Sequence, residues 1–172
     1  MRTGRTGIRL EVKIKNLRQL QKIIRSLKSR GKRIVFTNGC FDLLHYGHVK
    51  YLQDARNKGD ALVVAVNSDA SVRKLKGDSR PIVAVKDRVK VIAGLASVDF
   101  VVVFNQDTPL AVIKALKPDI LVKGADWNPN AIVGKDFVES YAGKVITIQF
   151  VKGLSTTNLI KKIAQACLNQ TV

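Results

Sequence analysis

The sequence is poor in the features that build cross-linked or membrane-embedded proteins. It has two cysteines in 172 residues, Cys40 and Cys167, too few for a disulfide framework and in keeping with a reducing compartment where both stay thiols. No apolar run approaches the roughly 20 residues of a membrane span. The first thirty residues are basic and lack a hydrophobic stretch of signal-peptide type, so a cytoplasmic protein is expected. Repeats, linkers and low-complexity tracts are also missing. What is present, 46% hydrophobic and 25% charged residues, suits one globular domain with a sizeable core and excludes disorder.

Acidic residues are scarce as well, 13 against 30 Lys and Arg, for a formal net charge of +17. The excess is local. Residues 1–33 carry twelve Lys/Arg against the single acid Glu11, net +11, which leaves +6 for the other 139 residues. A basic arm followed by a basic helix offers contact to RNA, but the aromatic stacking residues of single-strand binders are missing. The expectation is a flexible arm over residues 1–15 and one domain over 16–172, with nucleic acid an unlikely partner and a body whose mild positive excess suits anion handling.

Five short runs rich in Val, Ile and Phe read as strands: Ile34–Thr37, Ala61–Val66, Phe100–Phe104, Asp119–Val122 and Val145–Phe150. Most are continuously apolar, as strands covered on both faces require, and helical patterns separate them. Leu17, Leu20, Ile23, Ile24 and Leu27 mark one helix, and Val49, Leu52 and Ala55 a second. Val85–Leu95, Leu110–Leu116 and a C-terminal stripe of Leu159, Ile160, Ile163, Ala164, Cys167 and Leu168 mark three more. The fold class is therefore α/β, a doubly wound parallel sheet of about five strands, Rossmann-like. Its ligands belong at the carboxyl ends of the strands where the order reverses.

The first strand runs into Thr37-Asn38-Gly39-Cys40-Phe41-Asp42, then His45-Tyr46-Gly47-His48 and a helix. Gly39 permits close backbone approach, helix-start amides bind anions, and two histidines three apart share the first turn. Imidazoles there can donate hydrogen bonds to phosphoryl oxygens in an in-line displacement that needs no covalent nucleophile. Metal binding by Cys40, Asp42, His45 and His48 is the rival reading. Structural zinc sites, however, draw paired ligands from separated segments, and these are the only two histidines in the chain. No protein metal site is expected.

This segment resembles the nucleotidyltransferase superfamily whose hallmark is G-x-F-D followed by H-x-G-H. Val66–Val72, Leu75–Pro81, Asp87-Arg88, Val122–Trp127 and Gly153–Ile160 are similar, within it, to the adenylyltransferase domain of ADP-heptose synthases, over about residues 16–168. The resemblance implies transfer of AMP from ATP to D-glycero-β-D-manno-heptose 1-phosphate for lipopolysaccharide core synthesis, with pyrophosphate released. It implies that His45 and His48 stabilise the pentacovalent phosphorus, with Lys76 and Arg88 also catalytic. ATP contacts are expected from Thr37, Asn38, Gly39, Cys40, Phe41, Asp42, Lys123, Gly124, Asp126, Ser155, Thr156 and Thr157.

Asn67, Asp69, Lys74, Lys76 and Arg80 are assigned to the sugar phosphate, with Lys74 and Lys76 read as lying in a Gly/Asp-containing loop. Each has a plainer reading: lysines as solvated charges, Arg88 as a surface ion pair, Asn67 to Asp69 and Ser155 as helix caps, Trp127 as packing. Asp42 orients the loop rather than acting as a base, since a sugar phosphate is already ionised. Magnesium is the expected cofactor, held mainly by ATP phosphates and water. Family likeness also implies a homodimer, and a chain of this length implies a sugar kinase as a separate protein. A cytidylyltransferase acting on glycerol 3-phosphate or a related alcohol phosphate is the alternative, weakened because Phe150 stands where those enzymes carry an arginine. A non-catalytic nucleotide- or RNA-binding module is the alternative of another class.

Overall fold

The structure, a computed structural model, describes residues 10–125 and 131–169. Five parallel strands, β1 (Ile34–Gly39), β2 (Ala61–Asn67), β3 (Phe100–Phe104), β4 (Ile120–Gly124) and β5 (Lys144–Ile148), form one sheet in the order β3-β2-β1-β4-β5. Helices α1 (Leu17–Lys28), α2 (Tyr46–Arg56), α3 (Asp69–Lys76), α4 (Val85–Ala93), α5 (Leu110–Leu116), α6 (Lys135–Glu139) and α7 (Thr156–Leu168) connect and flank them. The expected doubly wound α/β class is the observed one.

The apolar runs split by parity between two cores. Val35, Leu62, Val64, Val66, Val101 and Val122 face one side with Leu52, Tyr51 and Ile92 of α2 and α4. Ile34, Phe36, Val63, Ala65, Val102 and Leu121 face the other with Leu20, Ile24 and Ile113 of α1 and α5. Burial of both faces removes the polar partner of each alternation, so the central strands read as unbroken hydrophobic runs. Each such side chain contributes about 1.5–3 kcal/mol when fully buried. A capping box at Asn16 and Gln19 starts α1, the Asn16 side chain accepting from the Gln19 amide and the Gln19 side chain from the Asn16 amide.

Three expectations need correction. Residues 10–15 are not part of a loose arm: Leu10–Val12 form a 3-10 turn, Ile14 bridges to Val101, and Lys15 N donates to Val101 O at 2.9 Å. Leu10 and Ile14 pack on the core, so this segment extends the sheet beside β3, while residues 1–9 lie outside the described residues. Lys74 and Lys76 occupy the last turn of α3, which Ser68 caps and Gly77 ends at φ 91. The stripe of α7 does not reach the core: no α7 residue is buried, and Ile163 and Leu168 are 56% and 69% exposed. The short α6 has no periodic signal long enough to read from sequence. Among the described residues no helix is long and apolar enough to cross a membrane.

Candidate active site

The order of the strands reverses between β1 and β4, and there the sheet opens. β1 pairs with β2 over six residues but with β4 only at Val35 and Phe36. Beyond that point Asn38 and Lys123 face each other across the gap, the Lys123 ammonium donating to the Asn38 side-chain oxygen. Such a crevice at the carboxyl ends of parallel strands is where ligands of this fold class bind.

The loop after β1 is shaped by close packing. Phe41 adopts a left-handed φ of 46, unusual for a bulky residue, and its ring lies where a Cβ on Gly39 would approach to 3.0 Å. Its edge meets His48, centroids 5.3 Å apart at 65°. His45 and His48 stack at 3.9 Å and 23°. The glycine between them makes that stack available: a Cβ on Gly47 would stand 3.0 Å from the His45 ring. Gly47 was visible only as part of the H-x-G-H pattern, and its packing role emerges from the backbone.

His45 is also the N-cap of α2, yet makes no side-chain cap hydrogen bond. The first-turn amides of α2 thus lack the usual Ser, Asp or Asn acceptor, which leaves a helix N-terminus suited to an anion. Nδ1 and Nε2 of His45 and Nδ1 of His48 are closed off from solvent without a hydrogen-bond partner. Burial holds His48 down at about 4, helped by the neighbouring His45 charge and opposed by a hydrogen bond to the Leu43 backbone. Burial lowers His45 too. Both imidazoles are neutral at neutral pH; the N–H of His48 is held by the Leu43 backbone, and His45 has one N–H to give.

A second layer fixes this loop. The Asp42 carboxylate accepts from Ile82 N at 2.9 Å, Val83 N at 2.8 Å and Arg80 Nε at 2.6 Å. Burial pushes its carboxyl up, but those donors outweigh it and hold the acid below the ordinary range. Arg88 has no exposed side-chain surface and donates to Val83 O, Cys40 O, Asn67 O and Asp69 Oδ1. One guanidinium thereby ties together the loops after β1 and β2 and the start of α4.

These contacts revise several expected ligand residues. Thr37 is fully buried with its hydroxyl 2.7 Å from that of Tyr51; it belongs to the wall and not to the ligand surface. Arg88 is not a surface ion pair: four of its five N–H donors are held within the protein, and its burial keeps it off the ligand surface. Asn67 is buried on Ser71, and Asp69 accepts from Val85 N and Arg88, so both brace α3 and α4 instead of reaching a sugar. Lys74 forms an exposed ion pair with Asp107. Asp42 orients the loop as expected, and Arg80 is its partner.

Asn38 and Lys123 meet across the crevice, Gly39, Phe41, His45 and His48 pack against one another after β1, and Cys40 follows β1 as Gly124 ends β4. Exposed Lys76 lies close enough to lower the Cys40 thiol, although burial of that thiol dominates and raises it. Cys40 is a free thiol. Ser155 caps α7 by accepting from Asn158 N, and Thr156 Oγ1 donates to Leu43 O at 3.3 Å, which ties the start of α7 to the loop after β1. Thr157 is exposed beside it. Asp126 and Trp127 lie outside the described residues. Among the described residues no group of three His, Cys, Asp or Glu is arranged to hold a metal ion.

Comparison with known proteins agrees with this geometry. The family model described as Cytidylyltransferase-like matches residues 36–162, from β1 into α7. "Bifunctional protein HldE" of Geotalea uraniireducens is 56% identical over 160 residues, 93% of this chain and 33% of the relative. The protein of that name from Geobacter metallireducens is 58% identical over 156 residues, 91% and 32%. The chain thus spans about a third of the curated relatives it matches. A lipopolysaccharide core biosynthesis protein from Thermoplasma volcanium superposes with TM-score 0.59 at 28% identity, covering 71% of this chain and 98% of that one. A pantoate-beta-alanine ligase from Francisella tularensis shares the fold alone, with TM-score 0.53 at 16% identity. With the family model covering most of its length, the chain belongs to the cytidylyltransferase-like family of nucleotidyltransferases.

Proposed function

We propose that the protein transfers AMP from ATP to D-glycero-β-D-manno-heptose 1-phosphate, giving ADP-heptose and pyrophosphate. The observation that carries the reaction type is the stacked, neutral pair His45 and His48 at the start of α2, in which both ring nitrogens of His45 and Nδ1 of His48 have no hydrogen-bond partner. Buried donors without acceptors are costly, and a phosphoryl group in the crevice would satisfy them together with the first-turn amides. The relatives' names and the lipopolysaccharide core protein support the heptose acceptor.

In this reading an oxygen of the sugar phosphate attacks the α-phosphorus in line, its bond to phosphorus forming as the bond to the pyrophosphate oxygen breaks. Charge growing on the equatorial oxygens is met by imidazole N–H groups and helix-start amides, which are already oriented and need no reorganisation. Lys76 and Lys123 supply full positive charge at the two sides of the crevice, and Thr156 and Thr157 offer hydroxyls to the distal phosphates. Asp42, Arg80 and Arg88 act by holding the loop. Asp42 and Asp69 are both engaged by N–H donors, so the residues fit a magnesium ion carried by the triphosphate and its waters. When bound, that ion neutralises the leaving pyrophosphate.

The sugar 1-phosphate is the product of a kinase reaction, and the assembly expected from family likeness is a homodimer, which light scattering would test. Pyrophosphate release with magnesium, pairing ATP, CTP and GTP with heptose 1-phosphate and with glycerol 3-phosphate, tests the assignment. Release confined to ATP with heptose 1-phosphate is the expected result. Release only with CTP would refute it in favour of a cytidylyltransferase, and silence from folded protein in every pair would refute both.

A further inference from the structure

We infer that Asn38 is a positioning residue of the nucleotide site: its side-chain oxygen holds the Lys123 ammonium across the crevice and aims it, with its charge intact, at the phosphates. The inference rests on the proposed role of Lys123 as a cation of that site. It changes what Asn38 does, from touching ATP itself to acting through the lysine.

The two side chains meet where the backbones have parted. β1 and β4 pair at Val35 with Ile120 and at Phe36 with Leu121, and counting on in that register sets Asn38 opposite Lys123. The outer edges of the same strands stay joined at that height, Gly39 to Val66 of β2 and Gly124 to Ile148 of β5. The splay is thus confined to the crevice, and there the Lys123 ammonium donates to the Asn38 side-chain oxygen. Alternation along a strand puts Asn38 and Lys123 on the face of Phe36 and Leu121, which α1 and α5 cover. The histidines open α2, which packs on the other face through Tyr51 and Leu52. Phosphates lying over the strand ends are therefore met by imidazoles from one side of the sheet and by an ammonium from the other.

An amide suits this task. Lysine is among the side chains that lose most rotamer freedom when fixed, and Lys123 is only 6% exposed, so that loss is met in folding and not when the ligand arrives. An ammonium has three N–H groups to give, and the amide oxygen of Asn38 accepts one without cancelling the charge. Arg80 and Arg88 are held instead by the carboxylates of Asp42 and Asp69, partners that do cancel it. A carboxylate in place of Asn38 would keep an acceptor at the same point and remove the net charge, which separates the positioning of a cation from a mere brace between strands.

The test is calorimetric binding of a non-hydrolysable adenosine triphosphate analogue with magnesium to the parent, Asn38→Leu, Lys123→Met and the double variant. Lys123→Met should weaken binding about tenfold, the worth of one hydrogen bond to a charged group. Asn38→Leu keeps the side-chain shape without the acceptor; it should weaken binding about fivefold when Lys123 is present and less than about twofold when Lys123 is already Met, as residues acting through one another require. Asn38→Asp should unfold in urea at or above the parental midpoint and yet lose about tenfold in kcat/KM for ATP, because the brace survives and the charge does not. Parental affinity in Asn38→Leu or Lys123→Met, equal losses from Asn38→Leu with and without Lys123, or a fully active Asn38→Asp would overturn the inference. If Asn38→Leu fails to fold, Asn38→Asp decides. A parent that binds no analogue would sink the adenylyl-transfer reading and this inference with it, whereas a parent that binds while the two substitutions act independently would sink this inference alone.

Discussion

Replacing Arg88 by Met removes a charge that the fold, not a ligand, neutralises. The side chain is fully buried and makes four hydrogen bonds, at 2.9 Å to Val83 O, 2.5 Å to Cys40 O, 2.8 Å to Asn67 O and 2.7 Å to Asp69 Oδ1. Met fills similar volume without a donor. Breaking a buried ion pair by removing one partner costs about 3–5 kcal/mol, and each stranded carbonyl adds about 1–3 kcal/mol if water cannot reach it. Cys40 and Val83 are half-buried, so water relieves part of the second cost and the whole stays near about 4 kcal/mol. For a chain of this size that lowers Tm by about 8–16 °C. Urea unfolding followed by circular dichroism measures it, with an unchanged slope showing that stability itself moved. Adding Asp69→Asn removes the orphaned carboxylate charge while its side-chain oxygen still accepts from Val85 N, and should recover about 1–2 kcal/mol. A loss under 1 kcal/mol for Arg88→Met, or no recovery in the double variant, would refute the reasoning.

His45→Ala and His48→Ala should each lower kcat about a hundredfold or more with parental thermal unfolding, as loss of transition-state charge stabilisation requires; steady-state pyrophosphate release and calorimetry check both halves. His48 titrates near 4 in the folded protein against 6.5 ordinarily, so the unfolded chain binds the extra proton between those values. Stability is therefore full above about pH 6.5 and falls by at most about 3 kcal/mol as pH drops towards 4; urea melts across that range should lose most of this slope in His48→Ala. Lys76→Ala should raise KM for the sugar phosphate severalfold with stability unchanged, because the side chain is exposed at the end of α3; a parental KM in initial-rate assays would remove Lys76 from the site. Gly47→Ala should cost at least tenfold in kcat, since its Cβ would displace the His45 ring, and an active variant would show that the histidine stack is dispensable.

The strands and the phosphate loop were legible because their signals are local. Unbroken apolar runs mean burial on two faces, and the two histidines stand three apart in one short segment that follows directly on the first strand. Thr37 illustrates what was not legible. It follows the same parity as Val35, so its hydroxyl points to the side that α2 covers and meets Tyr51; nothing in its neighbours in sequence says which helix lies there. Arg88 and Asp69 fail for a related reason. A lone arginine near a phosphate motif looks like an anion ligand, and its true counter-charge lies 19 positions away on another helix. The capping Ser155 could be read directly, since its partner lies only three residues on.

The outcome of those pairings is a site whose strongest cations are already matched. Arg80 is neutralised by Asp42 and Arg88 by Asp69, so in the proposed reaction the loop itself offers its ligand oriented dipoles, the imidazoles and the amides that open α2, with Lys76 and Lys123 as the full charges at its sides. Dipoles held in a dry crevice favour a transition state with dispersed charge on phosphorus, because they stabilise it where charge grows and do not repel a magnesium ion travelling with the triphosphate. In the proposed reaction the arginines therefore act from behind the loop, by fixing where the neutral donors point.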